Sequence, residues 1–134
     1  MKGDVVAVGN TSQVNQLVIC LANALNGEPI DLTAPGNNSG LAAANSTNVV
    51  VVSYASKSIR KDDLYWNAVQ LGKGDGDLML DPGETFEMTI DLSAVGETIV
   101  NYHTFSIEIK PPVGSVLVVE RTTPAALANY MILN

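Results

Sequence analysis

Alternation of apolar and polar residues at a period of two constrains this chain more than any other feature. The clearest case is residues 85–92 (TFEMTIDL), where every second residue from Phe86 to Leu92 is apolar and the residues between are polar. Residues 104–110 (TFSIEIK) repeat the pattern before Pro111 and Pro112 end the strand. Helical periodicity is nearly absent, whereas a period of two places alternate side chains on opposite faces of a strand. The sequence therefore predicts an all-β protein with half-buried antiparallel strands.

Further strands are predicted where apolar runs lie between turn residues. Residues 49–54 and 115–119 are apolar on both faces, which indicates strands covered by another layer or by a partner subunit. About seven or eight strands result, and an immunoglobulin-like antiparallel β-sandwich is the natural way to pack them. Residues 33–48 carry no charge and predict an exposed loop, while the apolar tail from Pro124 is expected to pack on this domain or on a neighbour. The remaining strand candidates are residues 5–8, 13–24, 30–32 and 66–71.

Length and composition exclude several classes of protein. The 134 residues, 46% of them apolar, suffice for one core, so residues 1–134 are predicted to form a single domain. Fourteen acids against seven bases give a net charge of -7, which disfavours contact with nucleic acid or an anionic membrane. The single Cys20 and the single His103 exclude an internal disulfide and a Cys/His zinc cluster.

No residue pattern points to catalysis. His103 is accompanied by no Gly-x-Ser-x-Gly motif, so a structural role is favoured over a catalytic triad. The glycine-rich residues 72–76 contain two aspartates that would repel phosphate. Aromatic residues are only 5% of the chain, so Trp66 is expected in the core and not on a sugar-binding platform. Cys20 lies in an apolar strand and is expected to be a small buried hydrophobe. We therefore predict a protein that is not an enzyme, with no catalytic residue and no organic cofactor.

The acidic residues are concentrated in residues 75–97, which hold seven carboxylates and no base. Four carboxylates within ten residues, around tight turns, offer the oxygen ligands that a hard divalent cation such as Ca²⁺ prefers. The sequence departs from the EF-hand pattern, and a solvated acidic hairpin is the alternative interpretation. The candidate metal ligands are Asp75, Asp77, Asp81 and Glu84.

Three Asn-x-Ser/Thr sequons predict N-glycosylation on the surface. Two of them fall in the uncharged loop, where an attached glycan would disturb no core contact. The candidate acceptors are Asn10, Asn37 and Asn45.

The C-terminal third of the chain resembles the end of archaellins, the archaeal flagellins. The specific pieces are residues 105–115 (FSIEIKPPVGS), with the Lys-Pro-Pro-x-Gly motif, and residues 118–125 (VVERTTPA), with Glu-Arg-Thr-x-Pro. Residues 80–86 (LDPGETF) and 27–32 (GEPIDL) are also similar to that family but are common in β-domains.

The resemblance implies a structural subunit of an archaeal motility filament, the archaellum, located outside the cell. Its β-sandwich would form the outer surface of the filament, often N-glycosylated and sometimes metal-bearing. Its partners would be other copies of itself or related archaellins. In the family an N-terminal hydrophobic helix contacts the membrane before assembly and then forms the filament core. That helix is not in this sequence, so we expect the 134 residues to be a soluble piece of a longer subunit. A surface-layer or adhesion module and a carbohydrate-binding accessory domain are the alternatives.

Overall fold

The computed structural model describes residues 5–9, 13–22, 30–44, 46, 48–71, 79–80, 84–96, 99–112, 116–127 and 130–133, without the side chains of Leu71 and Ile132. None of these residues lies in a helix, and accordingly none forms an apolar helix that could cross a membrane. The strands are β1 (Val5–Gly9), β2 (Val14–Ala22), β3 (Ile30–Asp31), β4 (Asn37–Asn38), β5 (Leu41–Ala42), β6 (Val51–Ala55), β7 (Arg60–Lys61), β8 (Trp66–Leu71), β9 (Met79–Leu80), β10 (Thr85–Asp91), β11 (Thr104–Lys110), β12 (Leu117–Thr122) and β13 (Tyr130–Leu133).

Two antiparallel sheets enclose one core. A five-stranded sheet has the order β13-β1-β2-β10-β8, and a four-stranded sheet has the order β12-β11-β6-β7. The short strands form two separate pairs, β3 with β9 and β4 with β5. Buried side chains from both sheets belong to the same apolar cluster. The predicted all-β sandwich is confirmed, although short strands raise the number of segments above the expected seven or eight.

The alternation in the sequence produces this core directly. In β10 and β11 every second side chain is buried, so each strand contributes one row to the interior. The largest fully buried side chains are aromatic, and the burial of each contributes on the order of 1.5–3 kcal/mol to the free energy of folding. They are Tyr54, Trp66, Phe86 and Phe105. The prediction that Trp66 packs in the core is confirmed.

An irregularity between β1 and β2 brings an additional residue into the core. Val8 pairs with Gln16 while Gly9 pairs with Val14, so Asn15 is an extra residue on β2. Because the bulge adds one residue, the alternation of side chains shifts by one position, and both Val14 and the row Leu17, Ile19 and Leu21 face inward. A Cβ atom at Gly9 would lie 2.9 Å from the Cα of Val14, so the close approach requires glycine.

One continuous stretch of chain passes from one sheet to the other between β7 and β8. The amide of Leu64 donates to the carbonyl of Val52 on β6 at 3.0 Å, whereas the amide of Asp91 on β10 donates to the carbonyl of Tyr65 at 3.0 Å. Asp63, with φ of 56°, makes the turn between the two pairings. The chain therefore closes this side of the sandwich itself.

The stretch 33–48, expected to be an exposed loop, packs partly against this crossing. Its β4–β5 hairpin turns at Gly40, which is buried and has φ of 92°. A Cβ atom there would approach the Cβ of Ala94 to 3.0 Å. Leu41, half-buried, forms a β-bridge to Leu64. The expectation of a wholly exposed loop is wrong, because contacts distant in sequence order a segment that has no periodicity of its own.

The apolar tail was expected to pack on this domain or on a neighbour, and the structure shows that it packs on this domain. It forms β13, which pairs antiparallel with β1 along Val5–Val8. On the same side of the sandwich Arg121 of β12 donates from Nε to the carbonyl of Leu133 at 3.2 Å and from Nη1 to the carbonyl of Glu120 at 2.8 Å. Arg121 thus links the edge strands of the two sheets.

Replacing Arg121 by Met should lower the free energy of unfolding by about 1–2 kcal/mol, because the stem is kept while a charge-assisted hydrogen bond across the two layers is lost. Urea unfolding followed by circular dichroism measures the change. Lys57→Met, at an exposed side chain, is the control and should leave the urea midpoint unchanged. An equal loss in both variants would contradict the role of Arg121 in linking the sheets.

Candidate interaction surfaces

The outer face of the four-stranded sheet carries a cluster of ion pairs. Arg60 contacts Glu108 at 2.7 Å between Nη2 and Oε2, and Asp62 at 3.3 Å between Nε and Oδ1. Lys110 Nζ lies 3.3 Å from the same Oε2 of Glu108. Ser53 pairs with Glu108 in the sheet register and is only 1% exposed. The hydrogen bond from the Arg60 guanidinium holds the pKa of Glu108 below its ordinary value.

A shallow groove of about 370 Å³ adjoins this cluster. Small side chains line it, with Lys57 and Glu120 as its charged members. Lys57 forms no ion pair with any residue that the structure describes. A second depression of about 230 Å³ shares Lys57 and extends past the exposed Tyr102. The residues lining the first groove are Ala55, Ser56, Lys57, Thr104, Phe105, Ser106 and Glu120.

His103 lines the second depression, where packing and hydrogen bonds hold it in place. Its Nε2 lies 2.8 Å from the hydroxyl oxygen of the buried Tyr54, and its amide donates to the hydroxyl of Thr123 at 2.8 Å. Its ring stacks on Phe105 with 6.4 Å between the ring centres. These contacts account for the histidine as part of the structure.

The outer face of the five-stranded sheet is unusually apolar at β1 and β2. Outward residues of these strands include Val6 and Val18, which pair with each other and are half-buried. Cys20 also faces outward and is half-buried, so the expectation of a fully buried thiol is wrong. The edge strands add Val69, 61% exposed, and Tyr130, 75% exposed.

The candidate metal ligands are only partly within the described residues. Asp75, Asp77 and Asp81 lie outside them, while Glu84 accepts a hydrogen bond from Gln70 Nε2 at 2.7 Å. Among the described residues no three carboxylate, histidine or cysteine side chains come together as metal ligands. The cation site stays a prediction from the sequence.

Of the three predicted glycan acceptors, the structure describes Asn37. It lies exposed on β4, and its Oδ1 accepts the amide of Gly40 at 2.9 Å. That bond leaves the side-chain nitrogen, the atom that would carry a glycan, without a partner among the described residues. Asn10 and Asn45 lie outside the described residues.

The β-sandwich fold of this chain is shared with solved structures of archaeal filament proteins. A crystal structure of the archaeal flagellin FlaB1 from Methanocaldococcus jannaschii superposes with a TM-score of 0.77 at 15% identity, over 99% of this chain and 94% of that one. A structure of the archaeal flagellum of Methanospirillum hungatei matches with a TM-score of 0.66 at 18% identity, over 96% of this chain and 66% of that one. At such identities these matches establish the fold.

Sequence comparison establishes the family. Probable flagellin 1 of Archaeoglobus fulgidus is 30% identical over 139 residues, covering 98% of this chain and 68% of the relative. Probable flagellin 2 of the same organism is 27% identical over 129 residues, covering 90% of this chain and 58% of the relative. No protein-family model matches the chain. The chain belongs to the archaeal flagellin family and spans 58% and 68% of the lengths of these two relatives.

The sequence predicted that residues 115–119 are covered by another layer or by a partner subunit, and the structure leaves two of them exposed at the surface of this domain. Val116 and Val118 are 48% and 58% exposed beside the four-stranded sheet. Only the strand order shows that β12 is an edge strand, so that another layer of this domain does not cover its outer residues.

The pairing of Glu108 with Arg60 predicts a pH dependence of stability. Because the pKa of Glu108 is lowered by folding, its contribution is present above the ordinary pKa of a glutamate and is lost as the pH falls through the folded-state pKa. The glutamine side chain of Glu108→Gln does not ionise. The free energy of unfolding of this variant should therefore fall less between about pH 6 and pH 3 than that of the unaltered chain, and the difference should be under about 1 kcal/mol for a surface pair. Urea midpoints across this range measure it. In an Arg60→Met background, Glu108→Gln should change the pH dependence of the urea midpoint less. If the effect of Glu108→Gln is the same in both backgrounds, Arg60 is not the partner that lowers the pKa of Glu108.

Proposed function

We propose that this chain is the outer β-domain of a structural subunit of an archaeal motility filament. The observation that carries the proposal is the match to an archaeal flagellin over 98% of the chain. The likeness of fold to a subunit of an archaeal flagellum supports it. In this proposal the domain has a structural role and is not an enzyme. Its two sheets each present an outer face that could contact neighbouring subunits.

The partners follow from this role. Other copies of the same chain, or related archaellins, would surround the domain in a helical filament outside the cell. Residues 1–134 would act as one domain in that filament. Contact with the membrane would come only from the N-terminal helix of the whole subunit before assembly, and the net charge of -7 supports no role with nucleic acid.

Two kinds of site belong to the proposal. Seven carboxylates without a base in residues 75–97 support a divalent cation, such as Ca²⁺, held by Asp75, Asp77, Asp81 and Glu84. The exposed position of Asn37 supports a glycan there, with Asn10 and Asn45 as further acceptors.

Antibodies raised against this domain should label extracellular filaments of the source cells along their whole length. Deletion of the gene should remove those filaments and abolish swimming, because the domain would be part of the filament wall. Immunogold electron microscopy and motility assays measure these outcomes. Labelling of a continuous cell-envelope layer, with filaments intact in the deletion strain, would favour a surface-layer protein.

Asn37 should carry a glycan in the protein isolated from its native host, because it is exposed on a hairpin and its amide nitrogen is unengaged by the described residues. Mass spectrometry of native peptides measures the occupancy. Asn38, exposed on the same strand but outside a sequon, is the internal control and should be unmodified. An unmodified Asn37 in native filaments would remove this acceptor.

A further inference from the structure

We propose that neighbouring copies of this domain stack face to back. The outer face of the five-stranded sheet of one copy would pack on the outer face of the four-stranded sheet of the next. The inference rests on the proposed function, since it states how the outer domains of neighbouring subunits meet.

The first observation is that one outer face departs from the usual pattern of a half-buried sheet. An antiparallel sheet with one solvated face normally alternates apolar and polar residues, as β10 and β11 do. In contrast, β1 and β2 direct Val6, Val8 and Val18 outward, next to Cys20. Such a contiguous apolar face in a folded domain indicates a contact with another protein surface.

The second observation is that most bases of the chain gather on the four-stranded sheet, beside its acids Glu108 and Glu120. In the described residues of the five-stranded sheet there is no Lys, Arg or His, and the charged members are Glu87 and Asp91. Five of the seven basic residues of the chain lie on the four-stranded sheet or on the turn between β6 and β7. They are Lys57, Arg60, Lys61, Lys110 and Arg121.

The four-stranded face has features that match such a neighbour. Arg60 and Lys110 are already paired with carboxylates, whereas Lys57 has no ion pair among the described residues. Lys57 and Glu120 both line the groove of about 370 Å³, where the small side chains of Ala55, Ser56 and Ser106 leave room for a projecting side chain. At the edge of the same sheet Val116 and Val118 are exposed. One outer face thus carries Lys57 and Glu120, each without an ion pair among the described residues, together with a recess and apolar side chains. The other carries acids without such an ion pair, together with apolar side chains.

Charge complementarity therefore favours a second copy of this chain on the apolar face, and it favours contact through the four-stranded face of that copy. Two five-stranded faces brought together would oppose acid to acid at Glu87 and Asp91, which is unfavourable. A five-stranded face on a four-stranded face brings those acids toward Lys57. Because the two faces differ, the contact is heterologous. One face of each kind therefore stays free at the two ends of the assembly, where further copies can add. Repetition of this contact yields an open helical assembly when the rotation between copies does not close a ring.

The test blocks each face separately with one central substitution. Thr89 and Ser106 are half-buried, point outward and lie on inner strands, β10 and β11. Thr89→Arg places a large base on the acidic face, and Ser106→Glu places an acid on the face that bears Lys57. Ala126→Arg, at an exposed residue between β12 and β13, is the control. Melting temperatures identify any variant whose fold is lost.

Association of the 134-residue chain is measured by sedimentation equilibrium at about 1 mM, where a contact of millimolar Kd is half formed. The unaltered chain and Ala126→Arg should form a series of oligomers, and each blocked variant alone should associate at least about tenfold more weakly. An equimolar mixture of the two blocked variants should regain association, because each variant offers the intact face that the other needs and the introduced Arg and Glu have opposite charges where the altered faces meet. Self-association of Ser106→Glu at the level of the unaltered chain would overturn the proposal, as would no association of the unaltered chain.

The full-length protein separates this inference from the proposed function. Thr89→Arg or Ser106→Glu in the full-length chain should reduce the number of filaments per cell, while Ala126→Arg should not. Normal filaments built from Thr89→Arg alone or from Ser106→Glu alone would refute the stacking and leave the filament role intact. Absence of the unaltered protein from filaments would refute the filament role itself.

Discussion

The burial of one apolar row from each long strand between two sheets is the interaction on which the rest of the structure depends. Tyr54, Trp66, Phe86 and Phe105 are almost wholly removed from water in this layer, and they come from both sheets. Because side chains alternate along a strand, the choice of the inward row also decides which residues face outward. The composition of both outer faces is thus a consequence of core packing.

The path of the chain then distributes the charges between the two faces. The crossing between β7 and β8 leaves Arg60 on the four-stranded sheet and delivers Trp66 to the five-stranded sheet beside the acidic strand β10. On the opposite side Arg121 joins the two edge strands. A basic turn and an acidic strand only a few dozen residues apart in sequence come to lie on different layers. This separation supports a contact between unlike faces and thereby a filament role for the domain.

Prediction from the sequence succeeded where a strand carries its own periodicity. The bounds of β8 and β11 agree with the predicted residues 66–71 and 104–110, because apolar and polar residues alternate along their length or turn residues end them sharply. The two-residue strands β4, β5, β7 and β9 were not predicted, since two residues carry no period and their pairing arises from contacts such as the bridge of Leu41 to Leu64. The tail was expected to pack on something, yet its partner β1 lies at the other end of the chain.

The sequence by itself determined the all-β class, the inward rows of β10 and β11, the acidic segment and the family. Each of these depends on residue identities at short range or on motif similarity. Only the tertiary structure decided the order of strands in each sheet, the half-buried position of Cys20, and the placement of Lys57 and Glu87 on opposite outer faces. Those properties depend on pairing between strands far apart in the chain, and such pairing is selected by the packing of the whole core and not by any local pattern.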